Sequence, residues 1–368
     1  MLPKFFYYLT VFLKHQRILM SFYTLFFIAF GISFAAAPLV MLLANNSGAV
    51  ALPGGRHIHT KPTPKFGGIA IALSVFVLSP FIIPVNRVIG SYVAASAIML
   101  LLGVLDDIRG INWKIKLTLS IIATSIIMFG AGIWIESLGN LFGLGEVHLG
   151  YWGIPFTFFA VFGVINAVNL TDGLNGLACG VSSIAFLSFA IFASMSGNET
   201  VFYLSLINLG ATLGLFRHNY PRARIFMGDS GSLFLGFSLA IMAVLLTQGN
   251  SNKVTPMTPV IILGLPIFDT VRVLVFRIIN KKHPFRADKT HLHHLMMRSG
   301  IHPNHVVKVI WIFSALMSIL SFVLCRFDAW IMLLVYIMFV SFLGIYVKNL
   351  SILRLNKSKK IPSNGSLH

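Results

Sequence analysis

Only 10% of the 368 residues are charged and 57% are hydrophobic, with a mean hydropathy of +0.85. Soluble domains carry about 25% charged residues, so this composition excludes a soluble protein and indicates an integral membrane protein. The net charge of +18 would suggest nucleic-acid binding in a soluble chain, but the Lys and Arg residues gather in loops on one side and no nucleic-acid-binding motif occurs. Cys179 and Cys325 lie in apolar stretches and suggest neither a disulfide nor a metal pair.

The chain is divided into apolar segments of about 20 residues, the length that an α-helix needs to cross a bilayer. Each segment predicts a helix, because an open sheet cannot satisfy its backbone hydrogen bonds in lipid. The predicted spans are residues 19–44, 67–85, 88–105, 116–135, 153–170, 176–195, 200–216, 231–248, 257–279, 306–325 and 329–348. The expected fold is an all-α polytopic bundle of about eleven spans. It forms one transmembrane domain, residues 1–350, and a basic tail, 351–368, that we expect to be disordered.

The distribution of Lys and Arg sets the predicted orientation, because basic residues accumulate in the loops that stay in the cytoplasm. The basic loops are residues 45–66, 106–115, 217–230 and 280–305, followed by the C-terminal tail. This pattern places the N-terminus outside and the C-terminus in the cytoplasm. Lys4, Lys14 and Arg17 oppose it, since they then lie on the less basic side.

Acidic residues are scarce, and most of the aspartates fall where an apolar run gives way to a polar loop. The cytoplasmic ends of the predicted spans carry Asp106, Asp107, Asp172, Asp229 and Asp288. A carboxylate at the centre of a membrane costs roughly 2.5–3.5 kcal/mol, so two adjacent carboxylates at the rim need a cation or another compensating partner. We therefore expect a single carboxylate-rich site at the inner membrane–water boundary.

Asp106 and Asp107 admit two interpretations. Hard oxygen ligands suit Mg²⁺, so the pair could hold this ion or act as a base. Alternatively, the pair could cap its loop and form ion pairs with Arg109 or Lys114. We favour a functional role because the other polar motifs end on the same side of the membrane.

The most specific polar run is NAVNLTDGLNGL, residues 166–177. Asn166, Asn169 and Gly173 recur at helical spacing and therefore share one face of a helix end. Together with Asp172, the two amides could bind a base, a sugar or a metal shell. The structural alternative is a helix C-terminus followed by a polar turn. Two Asn residues within an apolar span disfavour it, since buried amides need partners.

A second run, IFMGDSGSLFLG at residues 225–236, places Asp229, Ser230 and Ser232 just before an apolar helix. A helix N-terminus at this position would direct free N–H groups at an anion. Asp229 could then hold a Mg²⁺ that bridges the oxygens of the anion. For the two serines we favour simple capping of the helix.

Histidines and cations occur in two loops. The loop LPGGRHIHTKPTPKFGG, residues 52–68, can bend round a phosphate, although on its own an ordinary basic loop is the favoured interpretation. The last loop offers His291, His293 and His294 beside basic residues. No cysteine or carboxylate completes a zinc set nearby, so we favour binding of a diphosphate.

Asp269, in the motif PIFDT, lies inside the ninth predicted span. It could simply pair with Arg272 three residues later on the same helix. A role in the site is an equally good interpretation of this carboxylate.

Together the motifs supply carboxylates for a divalent cation, basic groups for phosphates and amides for a base or sugar, next to the lipid. They predict phosphoryl transfer from a soluble nucleotide to a membrane-embedded acceptor, a reaction in which positioning and charge neutralisation contribute most of the rate. A transporter with intramembrane Asp and Arg is the alternative from another class. It is disfavoured because the charges lie mainly at one rim and no internal repeat is visible.

From about Leu52 to Gly300, the chain resembles the polyprenyl-phosphate N-acetylhexosamine-1-phosphate transferases through five motifs in the order of that family. These are HTKPTPKFGG, GVLDDIRG, NAVNLTDGLNGL, FMGDSGSLFLG, and PIFDT followed by HPFRADKTHLHH. The last motif is more similar to the WecA and TagO branch than to the MraY branch. The resemblance implies transfer of N-acetylglucosamine 1-phosphate from a UDP-sugar to undecaprenyl phosphate with Mg²⁺, or alternatively Mn²⁺, and release of UMP. An N-acetylmuramoyl-pentapeptide nucleotide is the second candidate donor.

The resemblance also implies roles for individual residues. Asp229 would be the Mg²⁺ ligand, and Asp106 and Asp107 the catalytic pair, one of which takes a proton from the lipid phosphate. Phe226 would stack on the uracil. The implied nucleotide-sugar pocket contains Lys61, Asn169, Asp172, Gly173, Leu174 and Asn219. The implied phosphate contacts are Lys61, Lys116, His291, His293 and His294, and the pair Asp288–Lys289 matches with a less defined role.

One position departs from the family pattern. The family usually reads DG-x-DG in its central motif, whereas this chain has Asp172-Gly-Leu-Asn175-Gly. Asn175 keeps the size of Asp but loses the charge, so no catalytic role is carried over to it, and an altered activity stays open. The resemblance further implies the bacterial cytoplasmic membrane, a site on its cytoplasmic face and the first membrane step of an O-antigen, common-antigen or teichoic-type glycan. A homodimer is left open.

Overall fold

The computed structural model describes residues 22–52, 62–81, 86–249, 254–281 and 290–359, with side chains described between residues 23 and 346. Most of the residues in these ranges are helical. The helices are α1 (Phe22–Ser47), α2 (Gly67–Leu78), α3 (Arg87–Arg109), α4 (Trp113–Ala131), α5 (Gly153–Thr171), α6 (Leu177–Ser196), α7 (Glu199–Asn219), α8 (Gly228–Thr247), α9 (Met257–Ile262), α10 (Gly264–Ile279), α11 (Leu292–Arg298), α12 (Pro303–Leu324) and α13 (Ala329–Lys359). Two short strands, β1 (Val50–Ala51) and β2 (Thr63–Pro64), pair antiparallel between α1 and α2.

Nine helices within the described ranges are long and apolar enough to cross a bilayer: α1, α3 to α8, α12 and α13. The chain is therefore a polytopic helical membrane protein, as its composition predicts. Polar caps end the apolar runs: Asn86 accepts a hydrogen bond from Ile89 N at the start of α3, and Asn112 accepts one from Lys114 N at the start of α4. The count of eleven spans and the orientation of the termini stay predictions.

Regular helix ends early in the predicted span at residues 67–85. Helix α2 ends at Leu78 and is followed by a 3₁₀ turn at Ser79–Phe81, and residues 82–85 lie outside the described residues. Pro80 lies in this turn. Because proline has no N–H to donate to the carbonyl four residues earlier, regular α-helix ends just before it.

The predicted span at residues 257–279 is divided at Leu263 into α9 and α10. Pro266 causes this break, since its ring and its missing N–H disrupt the preceding helical turn. Tyr336 of α13 donates a hydrogen bond to the carbonyl of Gly264 at the break, with an oxygen–oxygen distance of 3.2 Å. The break gives α10 a start of its own.

Helix α8 forms the centre of the bundle, with 89% of its most apolar stretch buried inside the protein. It packs against α2, α3, α5, α6 and α7. A buried polar cluster links three of these helices: Tyr92 Oη of α3 lies 2.8 Å from Ser238 Oγ of α8, and Asn208 Nδ2 of α7 donates to Tyr92 Oη at 3.2 Å. Such interhelical hydrogen bonds average about 0.6 kcal/mol in a membrane, so the cluster contributes mainly by fixing how α3 lies against α8.

Helix α13 continues past the predicted end of the last span at residue 348. The tail that we expect to be disordered from residue 351 is therefore helical as far as Lys359. The sequence contains no Pro or Gly between Gly344 and Pro362, so no helix-breaking residue stops the helix earlier.

Candidate active site

Two irregular segments, one before α2 and one before α8, pair through their backbones at one end of the bundle. Phe226 N donates to Pro64 O at 2.7 Å. The N–H groups of Gly67 and Gly68 donate to the two carbonyls that precede α8, each at 3.0 Å. The first N–H groups of a helix have no partner within that helix, so these bonds satisfy them. The pairing fixes both the aromatic ring of Phe226 and the start of α8.

Glycines allow the elements around the start of α8 to come close to it. A Cβ on Gly103 of α3 would collide with the backbone of Asp229, so α3 can lie against α8 only without a side chain there. Gly228 has φ +72°, and a Cβ on it would collide with the carbonyl of Lys65. These close contacts bring the end of α3 next to Asp229.

Asp107 of α3 caps the N-terminus of α8. Its Oδ1 accepts a hydrogen bond from Asp229 N at 3.0 Å, and its Oδ2 accepts one from Ser230 N at 2.9 Å. A carboxylate at a helix N-terminus satisfies free N–H groups and interacts favourably with the helix dipole. Both oxygens of Asp107 are therefore engaged in holding the backbone of the residue beside it, Asp229.

Asp106 has different partners from its neighbour. Its carboxylate forms an ion pair with Lys116 of α4, and its Oδ1 accepts a hydrogen bond from Ile111 N at 2.5 Å. Within the described residues neither aspartate pairs with Arg109 or Lys114, the partners that sequence proximity suggests. The helical geometry explains this choice, since α4 begins at Trp113 and turns Lys116 back towards α3.

Asp229 is the point at which these side chains meet. The carboxylate of Asp106 contacts it, and Lys116 Nζ lies 4.0 Å from its Oδ2. Asn169 Nδ2 of α5 donates to its Oδ1 at 2.6 Å and to Ser232 Oγ at 2.7 Å. Helices α3, α4 and α5 thus each direct a polar side chain at the carboxylate of Asp229.

The serines after Asp229 have other roles than the capping that we favour from sequence. Ser232 Oγ accepts a hydrogen bond from Asn169, and Ser230 Oγ donates to the carbonyl of Met227 at 3.3 Å. The cap comes instead from Asp107. Asn166 also differs from expectation, because its Nδ2 donates to the carbonyl of Phe162 within α5 at 2.7 Å.

A cavity of about 340 Å³ opens beside Asp229. This volume lies within the range of about 300–1,000 Å³ that is typical of small-molecule sites. The site residues named from the sequence that line it are Asp107, Asn169, Asp172, Gly173, Leu174, Asn219, Phe226, His294 and Asp229. Asp106 and Lys116 lie behind this wall, in contact with Asp229. Lys61 and the pair Asp288–Lys289 lie outside the described residues.

Seven cavity-lining residues are absent from the site named from the sequence: Ala51, Lys65, Asn175, Gly228, Pro303, Asn304 and Val307. Lys65 belongs to the basic loop. Its position two residues before Gly67, where α2 begins, is a signal that could have placed it in the site. Pro303, Asn304 and Val307 begin α12, beyond the last recognised motif, and no sequence signal indicates them. The start of α12 therefore forms a wall that only the fold reveals.

Two asparagines hold the turn that follows Asp172. The buried Asn219 accepts a hydrogen bond from Gly176 N at 2.7 Å and donates to the carbonyl of Ile225 at 2.8 Å. Asn175 Nδ2 donates to the carbonyl of Pro221 at 3.3 Å. The amide that replaces the usual carboxylate thus has a donor role that an aspartate could not fill.

Asp172 follows α5 and lines the cavity. Burial raises its pKa to about 8, and the charges of Asp229 and Asp107 contribute to this increase. The carboxyl group is therefore mainly protonated at neutral pH, and a cation that enters the cavity would favour its ionised form.

Residues 290–294, which lead into α11, lie against α10 and against the turn at Gly173. Buried His291 contacts Asp269, and His294 lines the cavity. Burial and the neighbouring His294 together lower the pKa of His293 to about 3, so His293 is uncharged at neutral pH. Any contact of His293 with a phosphate would be that of a neutral imidazole.

The groups beside Asp229 fit a hard divalent cation such as Mg²⁺. They include the carboxylates of Asp229 and Asp172 and the amide oxygen of Asn169, which accepts no hydrogen bond from the described part of the chain. No three His, Cys, Asp or Glu side chains in the described ranges already form a metal cluster. Mg²⁺ usually keeps several waters and is bound by one or two carboxylates together with substrate phosphates.

The fold and the site define a multi-pass membrane protein in which carboxylates, amides and a lysine meet beside a nucleotide-sized cavity at one end of the bundle. The family model described as glycosyl transferase family 4 matches residues 89–247, the region that carries all of the aspartates around this cavity.

Curated relatives match over most of the chain. A probable undecaprenyl-phosphate N-acetylglucosaminyl 1-phosphate transferase of Bacillus subtilis (strain 168) is 35% identical over 310 residues, which cover 84% of this chain and 86% of the relative. Undecaprenyl-phosphate alpha-N-acetylglucosaminyl 1-phosphate transferases of Yersinia pestis and Escherichia coli (strain K12) are 31% and 29% identical, over 82% and 83% of this chain and 84% and 85% of their own lengths. With these relatives, the chain belongs to the polyprenyl-phosphate N-acetylhexosamine-1-phosphate transferases, as its five motifs predict.

Proposed function

We propose that this protein transfers N-acetylglucosamine 1-phosphate from UDP-N-acetylglucosamine to undecaprenyl phosphate, giving the lipid-linked diphosphate sugar and UMP. The observation that supports this best is the convergence of Asp106, Lys116 and Asn169 on Asp229, beside a cavity at one end of a membrane bundle. The relatives that match most of the chain carry this activity in their names.

In this proposal the cavity takes the nucleotide sugar with its diphosphate next to Asp229. Asp229, Asn169 and Asp172 would hold Mg²⁺, and the ion, when bound, would supply positive charge to neutralise the diphosphate. Phe226 offers an aromatic face for the uracil. The amides of Asn175 and Asn304 on the remaining wall can hydrogen-bond the sugar.

The transfer that we propose is a direct displacement. An oxygen of the lipid phosphate forms a bond to the β-phosphorus of the nucleotide sugar, the bond from this phosphorus to the bridging oxygen breaks, and UMP leaves with that oxygen. A route through an aspartyl-phosphate is the alternative. The geometry supports direct attack, because the backbone of α8 occupies both oxygens of Asp107, and Lys116 and Ile111 N occupy those of Asp106.

We further propose that the cavity opens to the cytoplasm of a bacterial cell, in its cytoplasmic membrane. The cavity end of the bundle carries Lys65, Lys116, Arg217 and Arg224, as expected for the cytoplasmic side. A soluble nucleotide sugar reaches the site from that compartment. The pathway that uses the product stays open between O-antigen, common-antigen and teichoic-type glycans.

Incubation of the purified protein with undecaprenyl phosphate, Mg²⁺ and a panel of UDP-sugars tests this function. The panel should contain the N-acetylglucosamine, N-acetylgalactosamine, glucose and N-acetylmuramoyl-pentapeptide nucleotides. We expect a lipid product with the mass of undecaprenyl diphosphate N-acetylglucosamine, and little product from the glucose nucleotide. Product from the pentapeptide nucleotide alone would replace the proposed donor, and no lipid product from any donor would contradict the proposal.

A further inference from the structure

Asp269 of α10 is bonded to the segment that leads into α11, which we call the histidine segment (residues 290–294). Its Oδ1 accepts a hydrogen bond from Leu292 N at 2.9 Å, and its Oδ2 accepts one from His291 Nδ1 at 2.9 Å. Arg272 Nη2, one turn further along α10, donates to Asp269 Oδ1 at 2.7 Å and to the carbonyl of Thr290 at 2.6 Å. Asp269 and Arg272 together hold the segment at three consecutive residues.

These contacts determine which ring nitrogen of His291 donates a hydrogen bond. A carboxylate can only accept hydrogen bonds, so the ring nitrogen facing Asp269 must carry a proton. His291 is only 4% exposed and does not line the cavity. Its orientation is therefore set by Asp269 and not by a bound substrate, unlike the direct phosphate contact that the family motif implies for it.

The histidine segment touches the cavity at two other points. His294 lines the cavity together with Asp172 and Asp229. The ring of His293 packs against Gly173, where a Cβ would collide with its Nε2. The place of the segment therefore affects both the cavity wall at His294 and the turn that carries Asp172.

We propose that Asp269 is a positioning residue for the transfer reaction, which keeps His294 in the cavity wall by holding the histidine segment against α10. The inference rests on the proposed function. Asp269 is suited to this role because its side chain is only 13% exposed, whereas neighbours on α10 such as Val271 and Val275 are exposed apolar residues suited to contact with lipid. A carboxylate that is largely buried is costly unless it is hydrogen-bonded, and four bonds to and around Asp269 compensate that cost.

The test is a double-mutant cycle with Asp269→Asn and His294→Ala, measured as KM and kcat for UDP-N-acetylglucosamine in the full-length protein. The asparagine retains an oxygen for Leu292 N but loses the acceptor for His291. We expect each single variant to lower kcat/KM by roughly 10–100-fold, the usual effect of losing a group that orients a functional side chain. The double variant should stay within about twofold of His294→Ala, because both changes act through the same side chain.

A second pair of variants keeps the proposal testable if Asp269→Asn does not fold. His291→Asn can still donate a hydrogen bond to Asp269, whereas His291→Phe cannot. We expect kcat/KM of His291→Asn to be at least tenfold above that of His291→Phe. Equal losses would instead indicate direct contact of His291 with substrate and would overturn the positioning role.

The exposed Asp328, at the other end of the bundle, provides a matched control through Asp328→Asn, which should leave both constants unchanged. Losses that multiply in the double variant, or Asp269→Asn activity within twofold of the unmodified protein, would also overturn the inference. Failure of the unmodified protein to use any nucleotide sugar would contradict the proposed function instead, so the two failures are distinguishable.

Discussion

Replacing Asp229 with asparagine should abolish turnover and leave the protein folded. Asn keeps an oxygen that can accept the hydrogen bond from Asn169, so the packing at the start of α8 should survive. The variant loses the one charge on which Asp106, Lys116 and Asn169 converge. Charged groups that neutralise a transferring phosphoryl group contribute about 10³–10⁵-fold to the rate, so we expect kcat to fall by roughly 10³-fold or more.

The measurement is the initial rate of lipid product formation against Mg²⁺ concentration, for the unmodified protein and Asp229→Asn. Glu146→Gln is a suitable control, since it removes the charge of an exposed carboxylate at the opposite end of the bundle. We expect it to match the unmodified protein. Normal activity of Asp229→Asn, with the same dependence on Mg²⁺, would show that the metal is held elsewhere.

The second large effect concerns the two adjacent aspartates, Asp106 and Asp107, whose substitutions by asparagine should have different effects on stability and activity. Asp107→Asn places an NH₂ group against one of the two backbone N–H donors of α8 and leaves that donor unsatisfied. A buried donor without a partner costs about 1–3 kcal/mol. We therefore expect the free energy of unfolding to fall by about 2 kcal/mol. Activity should fall at least 100-fold, because the start of α8 carries Asp229.

Asp106→Asn should lower activity with little loss of stability. The asparagine keeps its hydrogen bond from Ile111 N and loses the charge that pairs with Lys116. Lys116 is 27% exposed and stays 4.0 Å from Asp229, so water and a second carboxylate compensate its charge, and we expect a smaller loss of stability than for Asp107→Asn. Thermal unfolding of both variants in detergent, paired with the turnover assay, separates the two roles. Equal loss of stability in the two variants would contradict the capping function of Asp107.

The sequence predicts which residues meet because the membrane restricts where polar groups can lie. Asp107 ends one span, Asp172 follows another and Asp229 begins a third, so the predicted topology already places all three at one boundary. The structure brings them to a single cavity. Prediction of this part of the site requires only the positions of the span ends and the free-energy cost of a charge in lipid.

Other features depend on how the helices rotate and pack, which the sequence does not reveal. Sequence alone treats Asp106 and Asp107 as equivalent, yet successive residues on a helix point about 100° apart and so meet different neighbours. One therefore reaches Lys116 and the other reaches the backbone of α8. Asn304 is a further example, since only the packing of α12 brings its N-terminus to the cavity.

The division of the ninth predicted span is a third feature of this kind. Hydropathy is continuous from residue 257 to residue 279, so the pattern indicates a single helix. The break at Leu263 becomes visible only when the missing N–H of Pro266 is considered. Because α10 starts anew after the break, it carries Asp269 to the histidine segment.

The fate of the β-phosphate of the donor tests the central claim most directly. The protein would be incubated with undecaprenyl phosphate, Mg²⁺ and UDP-N-acetylglucosamine labelled with ³²P at the β position, and the lipid and aqueous phases would then be separated. Transfer of the sugar phosphate predicts that the label moves to the lipid phase while unlabelled UMP appears in the aqueous phase. Label that stays in the aqueous phase as UDP, with sugar alone on the lipid, would contradict the account.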